Sequence, residues 1–458
     1  MQSPAPRVLQ VSRSVIDGGF DYHAEIARGF AERGAEVCTV FQRGHLSTLK
    51  QQAFPGQVIC LDASRRKRYK NTAWLTLALW KALRGRPQDL AVCHHMTPAR
   101  AVHPLVRIGL VKQAVQVVHD YDYFDPADKY GKRRNRFLTK ALHHPWRLVG
   151  VSQAICSNLR AQLATLPVER CRVIHNAIDA DALERRQLRR AEARSALGLQ
   201  AGDFVFGTVG RLIGFKAQDD LIDAFSRAHR DMPKARLIII GRGPLESSLK
   251  GQVAAAALQD RVRIHGFLDD AARYMTAFDV FVLPSRHEPF GLVLLEAMVS
   301  RVPVLASDSG APAEVLDPTA HLFRSGDRAE LALQMLEIYR QPPAERAHRG
   351  QSGYDRVRAS FSLSAYRAAY ARLLEGFDTD FREVHPAYIG PPPSELADGS
   401  RMSMFGCRSV TVQTEFGSYD HYLSYPLEDV TTPEAVLENP CWTDPDWFDY
   451  DSLKPQCE

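Results

Sequence analysis

Residues 279–298 read DVFVLPSRHEPFGLVLLEAM, and this stretch has the pattern of a buried strand followed by a loop and a helix. Its first part, DVFVLPS, is a short β-branched and aromatic run that is typical of a strand in a parallel sheet. Pro289 favours the first turn of a helix and Gly291 allows close approach to the backbone, so we predict that a helix begins near Phe290. The stretch therefore indicates an α/β fold.

Two glutamates, Glu288 and Glu296, bracket the apolar part of this stretch. Their separation is about two helical turns at roughly 3.6 residues per turn, so we place Glu288 on the loop and Glu296 inside the helix. Both can face the opening above the sheet. The first N–H groups of the helix carry the positive end of its macrodipole, which favours a bound phosphate. A structural alternative is that Glu288 caps the helix and Glu296 bonds a neighbouring loop.

The same alternation of strand and helix patterns occurs in two series along the chain. The first runs through RVLQVS, the amphipathic stretch HAEIARGFAERG, EVCTVF, LAVCHH, AVQVVHD, WRLVGVS and CRVIHN. The second contains the strand patterns FVFGTVG, RLIIIG, VRIHGF, DVFVLP and VPVLAS. We therefore predict two Rossmann-like, doubly wound domains that face each other across a cleft. Ligands of such sheets bind at the carboxyl ends of the strands.

Changes in composition divide the chain into four segments. We predict a first domain over residues 1–180, a second over 181–360, a helix over 361–384 that returns to the first domain, and a linker with an irregular tail over 385–458. The tail includes YPLEDVTTPEAVLENPCWTDPDWFDYDSL, which is similar to a stretch found in uroporphyrinogen decarboxylase-like proteins. It is too short to carry decarboxylase chemistry, and we leave its role open.

The composition is that of a globular protein, with 458 residues, a hydrophobic fraction of 45% and a formal net charge of +5. No signal-peptide pattern or membrane-spanning segment is visible, so we expect a cytoplasmic location. The eight cysteines have no CxxC or Cys/His ligand spacing. Their spacing argues against a zinc site and against a disulfide framework, and we expect reduced thiols.

Three local clusters of basic residues occur within this modest net charge. They are RRKRYK at 65–70, KRRNR at 132–136 and RRQLRR at 185–190. Each is compatible with a solvated face, a nucleic-acid partner or an anionic membrane surface. For each cluster alone a solvated face is favoured. Because no aromatic RNA-binding signature accompanies them, a membrane surface ranks above nucleic acid, and we expect no nucleic-acid partner.

The first loop of the second domain also contains candidate binding residues. In GTVGRLIGFKAQDD the strand pattern ends at Gly210, and Arg211 and Lys216 follow on the loop. The forked guanidinium donors and the ammonium point charge suit a diphosphate group. We expect this loop to lie beside the loop of Glu288. The alternative is a pair of surface cations.

The motifs VGRLIGFK, LIIIGRGP, VRIHGFL and RHEPFGLVLLEAM, in this order after a double-glycine turn, resemble the retaining GT-B glycosyltransferases of family GT4. The last motif matches the two glutamates spaced as E-x7-E in that family. The resemblance covers residues 7–377. It implies transfer of a sugar from a nucleotide-diphosphate sugar, either UDP- or GDP-linked, with retention of anomeric configuration.

The resemblance assigns roles to the candidate residues. Arg211 and Lys216 would hold the donor diphosphate, and Glu296 would accept the ribose hydroxyls. Glu288 would act at the reaction centre against the donor sugar. Further residues would contact the donor as well: the backbone at Phe290, Gly291 and Leu292 would bind sugar and phosphate, Gly18 and Gly19 would approach the diphosphate, and His119 would be the active-site histidine.

Two departures from the family pattern concern loops near the donor. The chain has Ala217 after Lys216 where the family commonly has glycine, and His175-Asn176-Ala177 where Pro-Asn-Gly is common. Alanine restricts positive φ, so we expect the fold to be kept while the exact loop geometry around the donor, and with it the sugar accepted, stays open.

The function that we predict is a hexosyltransferase acting on a cell-surface glycan or glycolipid such as a lipopolysaccharide core. We expect no metal or other cofactor, since Arg211, Lys216 and the helix N-terminus can stabilise the leaving diphosphate. A D-x-D triplet at Asp120–Asp122 is the alternative metal-binding feature. Alternative functions are a sugar-nucleotide epimerase of the same fold and an inactive sugar-nucleotide-binding protein.

Overall fold

The computed structural model describes residues 5–14, 20–43, 53–61, 72–83, 86–121, 129–163, 166–316 and 320–375, and short strands between residues 387 and 449. Residues up to Phe377 form one compact unit, and residues from Asp378 onward form a second. The first unit contains two parallel sheets with helices on their faces. The strand patterns of the sequence thus fold as the predicted doubly wound layers.

The sheet of the first domain has seven parallel strands in the order β3-β2-β1-β4-β5-β6-β7. The strands are β1 Arg7–Ser14, β2 Glu36–Arg43, β3 Gln57–Cys60, β4 Gln88–His94, β5 Val111–Val118, β6 Trp146–Gly150 and β7 Cys171–Val173. The helices described between them are α1 Phe20–Ala31, α2 Thr72–Leu83, α3 Met96–Arg107, α4 Lys129–Ala141 and α5 Gln153–Gln162.

The strand order of this sheet reverses between β1 and β4, which are hydrogen-bonded neighbours. A crevice forms at such a switch point, because the connections on its two sides leave in opposite directions. The central strands of this sheet are largely buried, and every residue of β6 is buried. Burial on both faces explains why β6 shows no alternation of polar and apolar residues.

The sheet of the second domain has six parallel strands in the order β10-β9-β8-β11-β12-β13. The strands are β8 Phe204–Val209, β9 Ala235–Ile240, β10 Val262–Ile264, β11 Val280–Leu283, β12 Val304–Ser307 and β13 His321–Phe323. Its switch point lies between β8 and β11. The loops that carry Arg211 and Glu288 therefore leave adjacent strands at the same edge.

Helices connect the two domains and cover the second sheet. Helices α6 Ala180–Arg186 and α7 Arg190–Ala196 form the link, and Asp179 caps α6 by accepting from Ala182 N. The second-domain helices are α8 Gln218–Ala228, α9 Glu246–Ala255, α10 Leu292–Val299, α11 Pro312–Val315, α12 Arg328–Arg340 and α13 Pro343–Ser360.

The last helix of the first unit, α14 Leu363–Glu375, packs against α1 of the first domain. Arg367 Nη1 donates to Oε2 of Glu25 at 2.7 Å, and the ring of Tyr366 meets Tyr22 edge-on at 5.8 Å. The backbone at Arg367 also lies so close to Gly29 that a Cβ there would be 2.6 Å from the carbonyl oxygen. The chain thus crosses back from the second domain to brace the first.

The second unit contains strands where the sequence suggested an irregular tail. Four antiparallel strands pair in order, and the longest are Arg408–Thr414 and Gly417–Ser424. A separate two-stranded pair joins Ala387–Tyr388 to Phe448–Asp449. The alternating β-branched and aromatic residues of RSVTVQT and GSYDHYLS account for the hairpin.

Within the described portion of the chain, no helix has both the length and the apolar composition needed to cross a lipid bilayer.

Candidate functional site

The centre of the candidate site is a buried ion pair between the two loops at the second switch point. Nζ of Lys216 lies 2.6 Å from Oε2 of Glu288, and Ser285 Oγ donates to the same oxygen at 2.8 Å. Glu288 is only 4% exposed. The sequence predicted that these loops would lie side by side, and the structure joins their charged groups directly. Lys216 keeps donors for a second anion, because an ammonium has three.

Arg211 lies at the rim of the same loop and is exposed to solvent. Its guanidinium carbon is 5.9 Å from the ring centre of Phe215, and Lys216 Nζ is 5.6 Å from that ring. Among the described residues, none forms an ion pair with Arg211. The guanidinium is therefore available to an anion from solvent.

Arg286 joins the two loops, and the sequence patterns gave it no role. Its guanidinium donates to Gly214 O at 2.8 Å and reaches Asp219 at 2.9 Å and Asp220 at 2.7 Å. Its backbone N–H also donates to Phe215 O. Burial opposes the charge, but the two carboxylates outweigh it and raise the pKa of Arg286. Arg286 thus fixes the loop that carries Arg211 and Lys216.

The helix after Glu288 begins at Leu292, two residues later than the sequence predicted. Gly291 takes the N-cap position with φ +88°, a left-handed conformation that suits glycine. Pro289 and Phe290 remain in the loop because they belong to contacts across the cleft: Ser152 Oγ donates to Pro289 O at 2.7 Å. No side chain caps the helix, so Glu288 is not its cap.

Glu296 lies one turn into α10 and faces the link between the domains. Burial raises the pKa of its carboxyl to about 7, with Arg186 acting in the opposite direction and Asp270 in the same direction. Arg186 and Asp270 themselves pair at 3.4 Å. Glu288 and Glu296 therefore occupy different environments, since Glu288 is paired with Lys216 and burial raises the pKa of Glu296 to about 7.

His119 follows the last residue of β5 at the carboxyl edge of the first sheet. Its Nε2 is 3.2 Å from Nδ1 of His94, and the two rings stack with 5.5 Å between centres. Burial, followed by the nearby His95 and His23, lowers the pKa of His119 to about 3. The ring is therefore neutral at physiological pH.

Backbone strain marks two positions around the site. Ala217 has φ +53° at the start of α8, so the alanine adopts the left-handed conformation that glycine would adopt more easily. His95 has φ +73° at the start of α3. The alanine therefore holds a positive φ in spite of its Cβ, and the loop is strained at this position.

The two domains meet around the loop of Glu288. A Cβ on Gly310 would lie 2.5 Å from Oη of Tyr121 and 2.6 Å from the carbonyl oxygen of Glu288. Glu314 accepts from the backbone N–H groups of Gln153 at 2.8 Å and Ala154 at 3.1 Å. The carboxylate of the second domain thus caps helix α5 of the first.

His175 also contributes to this contact, and it stands where the family commonly has proline. Its Nε2 lies 3.2 Å from Oε2 of Glu314. The second departure from the family pattern thus supplies a polar contact between the domains.

Several predicted features lie outside the described residues. These are Gly18 and Gly19, the cluster RRKRYK and Asp122 of the D-x-D triplet. Of KRRNR, only the helical backbone is described for its first residues. RRQLRR is described, and its arginines make internal contacts, such as Arg190 with Asp279 at 2.7 Å. Among the residues that the structure places, none form a metal-ligand cluster of three or more His, Cys, Asp or Glu.

Two family profiles match the chain. The profile of Glycosyltransferase Family 4 matches residues 16–182, and that of Glycosyl transferases group 1 matches residues 189–356. The chain belongs to the group 1 glycosyltransferases. The predicted glycosyltransferase family is thereby confirmed, and retention of anomeric configuration stays a prediction.

Curated relatives of this group 1 glycosyltransferase share 31% identity over about two-fifths of its length. One is a lipopolysaccharide core biosynthesis mannosyltransferase, LpsB of Rhizobium meliloti, with 194 aligned residues that cover 41% of this chain and 55% of LpsB. Another is a GDP-mannose-dependent phosphatidylinositol monomannoside mannosyltransferase of Corynebacterium glutamicum, whose alignment covers 41% of this chain and 51% of that enzyme. The chain thus spans about half the length of these relatives.

Solved structures share its fold. HepE of Anabaena, in complex with UDP and glucose, aligns with a TM-score of 0.66 and 22% identity over 81% of this chain and 100% of HepE. WaaG, a glycosyltransferase of lipopolysaccharide biosynthesis, aligns with a TM-score of 0.60 and 18% identity over 81% of this chain and 100% of WaaG. These likenesses confirm the predicted GT-B fold of two Rossmann-like domains.

Proposed function

We propose that the protein transfers a hexose from a UDP- or GDP-sugar to a glycan or glycolipid acceptor with retention of configuration. The observation that carries this proposal is the cation arrangement at the second switch point. There Lys216, fixed by the buried Glu288, stands on the same loop as the open guanidinium of Arg211. The loop of Glu288, to which Lys216 is paired, leads into the N-terminus of α10, whose first N–H groups favour anions. A diphosphate is the ligand that suits such a set.

The same geometry suggests where the rest of the donor binds. Glu296 would accept the ribose hydroxyls, as the family resemblance implies. Arg242 follows β9 and stacks 4.6 Å above the ring of Phe267, which follows β10 and is 60% exposed. An exposed aromatic ring beside a guanidinium offers a stacking surface for a nucleobase. The sugar would then extend toward Glu288 and His119.

The reaction needs no covalent enzyme intermediate in this scheme. The bond between the anomeric carbon and the diphosphate oxygen breaks while the acceptor hydroxyl oxygen bonds to the same face of that carbon. The acceptor proton passes to the departing diphosphate oxygen. Arg211, Lys216 and the amides of α10 stabilise the charge that develops on the diphosphate. Glu288 is engaged by Lys216 and Ser285, which suits a hydrogen-bonding role better than attack on the sugar.

For the acceptor we propose a membrane glycolipid, in line with the lipopolysaccharide-core and phosphatidylinositol-mannoside relatives. The outer face of α2 exposes Leu77 by 50% and Trp80 by 49%, and Ile108 at the end of the neighbouring α3 is 67% exposed. Lys81 and Arg107 flank these apolar side chains and are exposed. Apolar residues with a tryptophan, surrounded by cations, suit the interface of an anionic bilayer. The protein would then be cytoplasmic and peripheral to the membrane.

A thermal-shift screen with UDP, GDP, ADP and their sugar conjugates tests the donor proposal. A ligand at 100 times its dissociation constant stabilises the fold by roughly 2.7 kcal/mol. We expect one base to raise the melting temperature of the native protein but not of Arg211→Ala. Arg227→Ala, which removes an exposed arginine on α8 away from the site, serves as the matched control and should respond like the native protein. An equal response of all three proteins would contradict the proposed diphosphate site.

Two further assays separate the alternatives. Donor incubated without acceptor should stay unchanged, whereas an epimerase would convert it. Flotation with phosphatidylglycerol vesicles tests the bilayer: binding should weaken with salt and fall in Leu77→Ser/Trp80→Ser. Leu333→Ser, which alters a leucine of the second domain that is 68% exposed, should bind like the native protein. Self-association through α2 without vesicle binding would reject the membrane proposal.

A further inference from the structure

A row of buried polar side chains crosses one face of the first sheet near its switch point. Gln10 of β1 and His94 of β4 are both fully buried. The register pairs His94 with Val117 of β5, so the alternation of side chains places His94 and Val117 on the same face. His119 lies two residues beyond Val117. The row ends at the cleft, where His119 is partly exposed.

The contacts along this row form a directed chain. Nε2 of Gln10 lies 3.3 Å from Nε2 of His94, and Nδ1 of His94 lies 3.2 Å from Nε2 of His119. An amide nitrogen can only donate, so Nε2 of His94 must accept. A neutral imidazole that accepts at Nε2 has its proton on Nδ1, which then donates to Nε2 of His119. The proton of His119 is thereby confined to Nδ1.

The surroundings keep both rings neutral, as this chain requires. Burial lowers the pKa of His94 far below its ordinary value, and His23, His119 and His95 act in the same direction. His23 is itself buried, and burial with His95 lowers its pKa to about 3. Its Nε2 is 2.9 Å from the hydroxyl oxygen of Ser12. The titratable groups that act on these pKa values are all histidines, and each of them disfavours an imidazolium on its neighbours.

We propose that Gln10 and His94 are positioning residues that hold His119 in its Nδ1–H tautomer, so that its free nitrogen donates a hydrogen bond to a hydroxyl of the donor sugar. This inference rests on the proposed function for the identity of the ligand. Among the described residues, none hydrogen-bonds Nδ1 of His119. The lone pair of Nε2 is engaged by His94. His119 consequently cannot collect the acceptor proton, which agrees with the proposed transfer of that proton to the diphosphate.

The tautomer is measurable without any substrate. Nitrogen-15 NMR of histidine-labelled native protein, with the His119 signals assigned by their loss in His119→Gln, shows which ring nitrogen carries the proton. We expect Nδ1 protonated and Nε2 not. A proton on Nε2 would mean that the Gln10 amide presents its oxygen to His94, and it would overturn the inference. This readout is independent of whether a nucleotide sugar binds.

Substitution tests the role of Gln10. Gln10→Leu removes the amide, so His119 should show mixed tautomers, and turnover with the donor should fall about tenfold. The thermal shift with the nucleoside diphosphate alone, which lacks the sugar, should be unchanged. The matched control is Gln116→Leu, which removes another buried glutamine from the opposite face of β5. Unchanged turnover in Gln10→Leu, or an equal loss in Gln116→Leu, would reject the positioning role. If the native protein itself binds no nucleotide, this result would instead reject the proposed function.

Discussion

Lys216 and Glu288 form an ion pair of 2.6 Å in which the lysine side chain is 17% exposed and the glutamate 5%. The two residues come from loops that are far apart in sequence and adjacent in the sheet. Each charge depends on the other, because removal of one partner leaves a buried charge uncompensated. The pair therefore links the stability of the second domain to the chemistry of its site.

Lys216→Met should lower the free energy of unfolding by about 3 kcal/mol, the size expected when a buried pair loses one member. The double variant Lys216→Met/Glu288→Gln should recover most of this loss, since no unpaired charge remains. Both should lack transferase activity. Urea denaturation measures the stability, and equal midpoints for native and single-variant proteins would show that water enters the site.

Ala217→Gly should raise the free energy of unfolding by roughly 1 kcal/mol, because the alanine at φ +53° bears a left-handed penalty that glycine does not. Ala224→Gly is the matched control. It lies fully buried in the middle of α8, where glycine should cost about 1 kcal/mol. Shifts of the denaturant midpoint in opposite directions, upward for Ala217→Gly and downward for Ala224→Gly, would support the strain at Ala217. A destabilised Ala217→Gly would contradict it.

Acid should weaken the contact that Glu314 makes between the domains. Burial opposes its ionisation, but the hydrogen bonds from His175, Gln153 and Ala154 outweigh burial and lower the pKa of Glu314. A carboxyl group whose pKa is lower in the folded state stabilises the fold when the pH is above its pKa in the unfolded state. This contribution is lost as the pH falls through its pKa in the folded state. Glu314→Gln should therefore be less stable than the native protein at pH 7, and the difference should shrink toward pH 3. A constant difference across the titration would contradict this assignment.

Glu296 should make the stability of the fold depend on pH in the opposite direction from Glu314. Its raised pKa, to about 7, means that the folded state binds the additional proton between about pH 4.5 and 7. Stability from this group is thus present at low pH and is lost as the pH rises through 7. Nucleotide affinity should increase over the same range if the ionised carboxylate accepts the ribose hydroxyls. Calorimetric titration with the nucleotide at pH 6 and 8 measures this affinity. In Glu296→Gln, neither the stability nor the nucleotide affinity should depend on pH in this way.

Much of this architecture could be predicted because it depends on local patterns. The run DVFVLPS and the glycine after Pro289 suffice for strand, loop and helix, and the strand order then brings Glu288 beside Lys216. The start of the helix was predicted two residues too early. Its position depends on Ser152, a residue of the other domain that holds the carbonyl of Pro289. Local sequence patterns contain no information about this contact.

The residues that the sequence missed act through partners distant along the chain. Arg286 lies within the quoted motif, yet its partners Asp219 and Asp220 are in another helix. Gln10 and His94 have the apolar surroundings of ordinary strand residues. The signal that could have found them is a buried amide or imidazole in the middle of an otherwise apolar strand, since such a group needs a partner.

Gly310 has a further consequence for the distance between the domains. The hydroxyl of Tyr121 occupies the space that a Cβ on residue 310 would need, and the glycine itself is at φ +85°. A single methyl group there would push Tyr121 away and widen the gap on the acceptor side, although residue 310 provides no group for catalysis. The same Cβ would lie 2.6 Å from the carbonyl oxygen of Glu288, so position 310 sets how closely the loops of Tyr121 and Glu288 approach each other.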